Sequence, residues 1–151
     1  MLPEKEIINP SPDCEIISKR IFDAPRKKVF EAWTNPDHLK LWWGPQGFTN
    51  TFHIFDLKPG GRWSLIMHGP DGTDYKNESI FIEIKSQEKL VWNHLSGLEF
   101  QVVATFEKLL NKTVVTFKMI FPSTEECEKY KVFVVDANEQ NFDRLEALLA
   151  N

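Results

Sequence analysis

The chain has 151 residues, 42% of them hydrophobic and 26% charged, which is the make-up of one folded domain and excludes disorder as its main state. Lys plus Arg number 18 against 22 Asp plus Glu, a net charge of -4 that argues against a general nucleic-acid binder and against a polybasic membrane binder. No apolar run approaches the ~18 residues that a bilayer span requires.

Residues 1–13 carry Pro3, Pro10 and Pro12 and show little periodicity, so they read as an N-terminal tail without an apolar signal core. Residues 14–151 read as a single domain in the cytoplasm. Ile16, Ile17, Ile21 and Phe22 predict a strand over 15–22. Pro25 suits the first turn of a helix, where its missing N–H has no partner to lose, and Val29, Phe30 and Trp33 follow at helical spacing. Asn35-Pro36-Asp37 repeats the start signal for a second short helix that ends at Gly44-Pro45.

Six strands are predicted next, over 48–57, 62–68, 78–85, 89–95, 99–108 and 113–121. Lys58-Pro59-Gly60-Gly61 and Gly69-Pro70-Asp71-Gly72 mark two of the turns between them. Such short connections imply a consecutive antiparallel meander. Ser123 caps a last helix with Glu125 and Glu126 in its first turn, and no Gly or Pro interrupts it from Thr124 to Ala150. Its apolar stripe runs Cys127, Tyr130, Val134, Ala137, Leu145, Leu148, with Asn138 and Asn141 inside it. The fold class is therefore α+β, a curved antiparallel sheet around one long C-terminal helix.

Chemistry-bearing motifs are sparse. His38, His53, His68 and His94 have no metal-ligand spacing and read as surface or strand-edge residues. Cys14 and Cys127 match no metal or redox spacing and read as reduced thiols of a reducing compartment. Ser64 stands between apolar strand residues and reads as structural. Glu83, or His68 if strand parity is reversed, are the side chains that could serve as an inward acid or base. Aromatic residues reach 13%, with 12 Phe and 5 Trp, which suits either an aromatic core or a hollow fold lined with rings. An exposed Trp42-Trp43 corner is a candidate dimer contact, and both monomer and homodimer are expected forms.

Several segments in series resemble one family. They are Arg20-Ile21-Phe22-Asp23-Ala24-Pro25, Val29-Phe30-Glu31-Ala32-Trp33-Thr34-Asn35-Pro36, Trp42-Trp43-Gly44-Pro45 and Asp56-Leu57-Lys58-Pro59-Gly60-Gly61-Arg62-Trp63. Gly69-Pro70-Asp71-Gly72, Glu83-Ile84 and Glu88-Lys89-Leu90-Val91 continue the series. The chain is similar, from about Glu15 to Leu149, to the activator of heat-shock protein 90 ATPase homologue-like domain family, within the START-like (SRPBCC) superfamily. The resemblance implies a helix-grip fold, seven strands wrapped on the C-terminal helix with a hydrophobic cavity between. It does not imply one activity, since members include lipid and polyketide carriers, cyclases and co-chaperone domains. Where many members carry Gly-Trp before the final leucine stretch, this chain has Ala137-Asn138, which would enlarge the cavity and add an amide.

Three functions are expected in order. The first is binding of a small hydrophobic molecule, lipid-like or aromatic, with Trp43, Trp63, Leu65, Met67, Phe117, Met119, Val134, Asn138 and Asn141 as cavity residues. The second is a polyketide cyclase-like enzyme, and the third a chaperone-activating module with a chaperone partner. No cofactor and no metal are expected.

Overall fold

The computed structural model describes residues 14–151, and the tail expected over 1–13 lies outside them. Ten elements follow one another: β1 (Glu15–Phe22), α1 (Arg26–Thr34), α2 (Pro36–Trp42), β2 (Thr49–Phe55), β3 (Arg62–His68), β4 (Asp74–Lys85), β5 (Lys89–His94), β6 (Phe100–Leu109), β7 (Lys112–Ile120) and α3 (Thr124–Leu149). The strands form one antiparallel sheet in the order β1-β7-β6-β5-β4-β3-β2. This is the expected meander, with β1 returning beside β7.

Caps set the helix boundaries. The Asn35 side chain accepts from the Asp37 N–H at 2.9 Å and starts α2. Ser123 Oγ accepts from the Glu126 N–H at 3.1 Å and starts α3. At the other end of α3, Lys28 Nζ donates to the Leu149 carbonyl at 3.0 Å, placing a cation on the negative end of the helix. Arg20 of β1 ties the same helix to the sheet edge, reaching Glu139 and Asp143 at 2.8 Å each and Glu146 at 3.4 Å.

One turn requires glycine outright. At Gly61 a Cβ would stand 2.0 Å from the Asp56 carbonyl oxygen, so the β2–β3 connection closes only without a side chain there.

β4 begins at Asp74, four residues before the predicted strand. Asp74-Tyr75-Lys76-Asn77 carries no apolar alternation, and pairing with β3, His68 opposite Asp74 and Met67 opposite Tyr75, makes it a strand. A bulge between Phe81 and Glu83 then re-aims the chain. It leaves Phe81 2% exposed in the core and Glu83 exposed on the outside, 3.2 Å from Lys89 Nζ.

The core is two-sided in composition. Under α1 and the C-terminal turns of α3, Phe22, Val29, Phe30, Trp33, Phe106, Phe142 and Leu145 pack with no more than 8% exposure each. Phe142 meets Phe22 edge-on at 5.5 Å, and Phe30 meets Phe106 at 5.1 Å, the arrangement that the ring quadrupoles favour. Trp42 belongs to this core and does not form an exposed corner. It is 1% exposed, and its Nε1–H donates to the Ala32 carbonyl at 2.9 Å. Capped α2 is short, so its last turn faces inward onto α1, and Trp33 and Trp42 stand 4.8 Å apart.

Candidate functional site

A cavity of about 170 Å³ lies between the sheet and the middle of α3. Alternation on β3 turns Trp63, Leu65 and Met67 into it, and Trp92, Phe100, Val102, Phe117 and Met119 add walls from β5, β6 and β7. Trp43 closes the side nearest α2, with its ring 5.1 Å from Trp63 and 6.0 Å from Trp92. Ala137, Asn138 and Asn141 form the helix wall.

Trp43, Trp63, Leu65, Met67, Phe117, Met119, Asn138 and Asn141 thus line one cavity. Val134 does not join them. It is buried at 9% exposure in the core, four residues before Asn138. At 1.5 Å rise per residue that is about 6 Å further along the axis, beyond the end of the cavity.

Two expected acid–base candidates point away. Glu83 is on the outer face, as the bulge dictates. His68 also faces outward, where Nδ1 lies 2.7 Å from Asp74 Oδ1 and Nε2 lies 2.8 Å from Thr51 Oγ1. Ser64 is on that outer face too, donating to Glu78 Oε2 at 2.5 Å, which agrees with a structural role.

Residues that sequence reasoning missed sit on β4 and β5. Asn77, Ser79 and His94 line the cavity. His94 is a correction: it is an inward, half-buried wall residue and not a surface or edge histidine. Its Nδ1–H donates to the Leu98 carbonyl at 2.8 Å, Nε2 lies 2.7 Å from Asn77 Oδ1, and its ring stacks on Phe100 at 4.5 Å. Burial pushes its imidazole below the ordinary value of 6.5, and the Leu98 hydrogen bond raises it by less. The signal that could have found it is parity: Trp92 and His94 share one face of β5, and Ser79 stands opposite His94 in the ladder.

The loop that closes the cavity hangs from α3 by side chains. Arg144 Nη1 donates to the carbonyls of Trp43, Gly44 and Pro45 at 3.1, 2.9 and 3.0 Å, and Nη2 donates to Leu41 at 3.0 Å. Asn141 Oδ1 accepts from the Gly44 N–H at 3.1 Å, and Gln140 Oε1 accepts from the Gln46 N–H at 3.1 Å. Gly44 holds φ +99, and a Cβ there would stand 2.9 Å from Met67 Cε.

Among the described residues, no Asp, Glu, Lys or Arg lines the cavity. Among the described residues no group of His, Cys, Asp and Glu could hold a metal ion. No helix among them is long and apolar enough to cross a membrane.

A seven-stranded antiparallel sheet gripping one long C-terminal helix, with a ring-lined hollow between, defines a helix-grip protein of the START-like superfamily. Residues 23–150 match the family model described as activator of Hsp90 ATPase homolog 1-like protein, and the chain belongs to that family. No curated protein matches the chain. Solved structures do. A protein from Nitrosomonas europaea is 20% identical with a TM-score of 0.86, covering 93% of this chain and 96% of its own. One from Arthrobacter aurescens is 25% identical with a TM-score of 0.85, covering 91% and 87%. The AHSA1 protein from Silicibacter pomeroyi is 19% identical with a TM-score of 0.74, covering 90% and 97%. These likenesses establish the fold.

Proposed function

We propose that this protein binds a small hydrophobic molecule in the cavity between the sheet and α3. The observation that carries the reading is the hollow itself. Trp43, Trp63, Trp92 and Phe117 surround about 170 Å³ at a level of the core where a helix side chain could have filled the space. Interiors are normally packed to crystal density, so a ring-lined void that persists calls for an occupant. Ala137 and Asn138 leave the room open, where many relatives are expected to place Gly-Trp.

Binding is favoured over turnover by His94. Among the described residues it is the titratable side chain on the cavity wall, and both of its ring nitrogens already face protein oxygens. A general base needs a nitrogen within hydrogen-bond reach of the substrate.

The test is a toluene titration followed by tryptophan fluorescence and thermal unfolding. A saturable change with a rising Tm is expected, since a ligand of the folded state at a hundred times Kd adds about 2.7 kcal/mol. Asn138→Trp should abolish it by filling the hollow. A flat titration of the folded wild-type protein would sink the reading.

A further inference from the structure

The cavity walls carry more chemistry than an apolar hollow needs. On the α3 wall, the Asn141 amide is fixed in orientation, because its Oδ1 accepts from the Gly44 N–H, which can only donate. Its Nδ2 is therefore left as a donor with no partner among the described residues. Asn138 spends its Nδ2 on Ser18 Oγ at 3.3 Å and Met119 Sδ at 3.5 Å, and its Oδ1 has no partner among those residues. On the sheet wall, the Ser79 side chain has no hydrogen-bond partner among them either, although Ser79 is only 3% exposed. Buried polar atoms are rarely left unpaired, because each forfeits its hydrogen bonds to water. Trp63 Nε1 is such an atom, buried without a partner among the described residues, and the accessible Asn141 Nδ2, Asn138 Oδ1 and Ser79 Oγ belong to the same cavity lining, so one bound molecule would complete them together.

Size and charge narrow the molecule. An engineered apolar cavity of roughly 150 Å³ takes up benzene. The present volume of about 170 Å³ matches one ring and a few further atoms. The rings around it stand edge-on and tilted, Trp63 to Trp92 at 5.4 Å and Trp92 to Phe117 at 6.2 Å, a lining that suits a flat aromatic guest. Among the described residues no Asp, Glu, Lys or Arg on the wall offers a charged guest a counter-charge, and burial lowers the pKa of its one histidine, His94. An ion stripped of water in such a place is strongly disfavoured.

We infer that the cavity selects a neutral, single-ring molecule with a hydrogen-bonding group at each end, one for the α3 amides and one for Ser79. The inference rests on the small-molecule reading above and names its ligand class.

Calorimetric titration at pH 7.5 with four compounds tests it: toluene, 4-hydroxybenzyl alcohol, 4-hydroxybenzoate and tyramine. The expected order places 4-hydroxybenzyl alcohol about tenfold or more tighter than toluene, as paired buried hydrogen bonds would give. The anion and the cation should bind at least about tenfold more weakly than the alcohol. Ser79→Ala and Asn138→Leu should each remove most of the alcohol's advantage while leaving toluene binding in place, which also shows that each variant keeps its cavity. If toluene binds and the alcohol is no tighter, or if a charged compound is tightest, the inference is overturned and the small-molecule reading stands. If no compound binds, both fall.

Discussion

The C-terminal turns of α3 and its middle turns face the same sheet, yet one pair of surfaces is packed solid and the other encloses a hollow. Around Phe142 and Leu145 the helix presents large apolar side chains, 2% and 0% exposed, against Phe22 and the residues of α1. Around Ala137, Asn138 and Asn141 it presents a methyl group and two amides against Trp43, Trp63 and Trp92. Backbone and helix stripe are continuous through both. Side-chain volume separates core from cavity, and Trp33 of α1 reaches the rings of both. The lesson is that a hollow in this fold is made by what the helix withholds, while stability is concentrated one to two turns further along.

That contrast can be broken most directly at Phe142. Phe142→Ala should cost about 3–5 kcal/mol in urea unfolding, because it removes a buried ring from the packed half and leaves a cavity behind. A loss below about 1 kcal/mol would mean that the C-terminal half is not the stable one.

The next largest effect is expected at the joint between the two regions. Arg144→Met removes the donor of the Leu41, Trp43, Gly44 and Pro45 carbonyls. A loss of about 2 kcal/mol is expected from hydrogen bonds to a charged group. Amide hydrogen exchange should accelerate at Gly44 and Gln46, while the amides of β7 behind the filled half stay protected. Uniform acceleration would show that the loop is not a separable element.

His94 sharpens the comparison by pH. Its folded value is lowered by burial, so between that value and the ~6.5 of an unfolded histidine the unfolded chain binds the extra proton. Its contribution is therefore complete above about pH 6.5 and is lost as pH falls through the window below. His94→Gln should flatten this part of the stability–pH curve relative to the wild-type protein. Parallel curves for the two proteins would remove His94 from the cavity's electrostatics.

The smallest effect is expected outside both regions. Glu83→Gln breaks the ion pair with Lys89, whose partners are 49% and 37% exposed, and should change stability by less than about 0.5 kcal/mol. A large loss in thermal unfolding would contradict the outward placement set by the β4 bulge.

Much of this protein was readable along the chain. The Asn35 and Ser123 caps, the turns at 58–61 and 69–72, and the alternation of Trp63, Leu65 and Met67 are local signals, and each stands where periodicity put it. The family segments carried the helix-grip arrangement, and the small pair Ala137-Asn138 pointed to the helix wall. What composition and spacing could not supply was decided between strands. Asp74 to Asn77 is a strand because β3 pairs with it, and only that pairing turns Asn77 and Ser79 inward. The bulge at Phe81 and Glu83 reverses a parity that the sequence leaves ambiguous, sending a carboxylate out and keeping a phenyl ring in. His94 looks like any strand-end histidine until register sets it opposite Ser79 and on Phe100. Local propensity and caps act within a few residues, so sequence determines them. Register, curvature and the end of a cavity are set by contacts between residues far apart in the chain, and those exist only once the sheet has closed on α3.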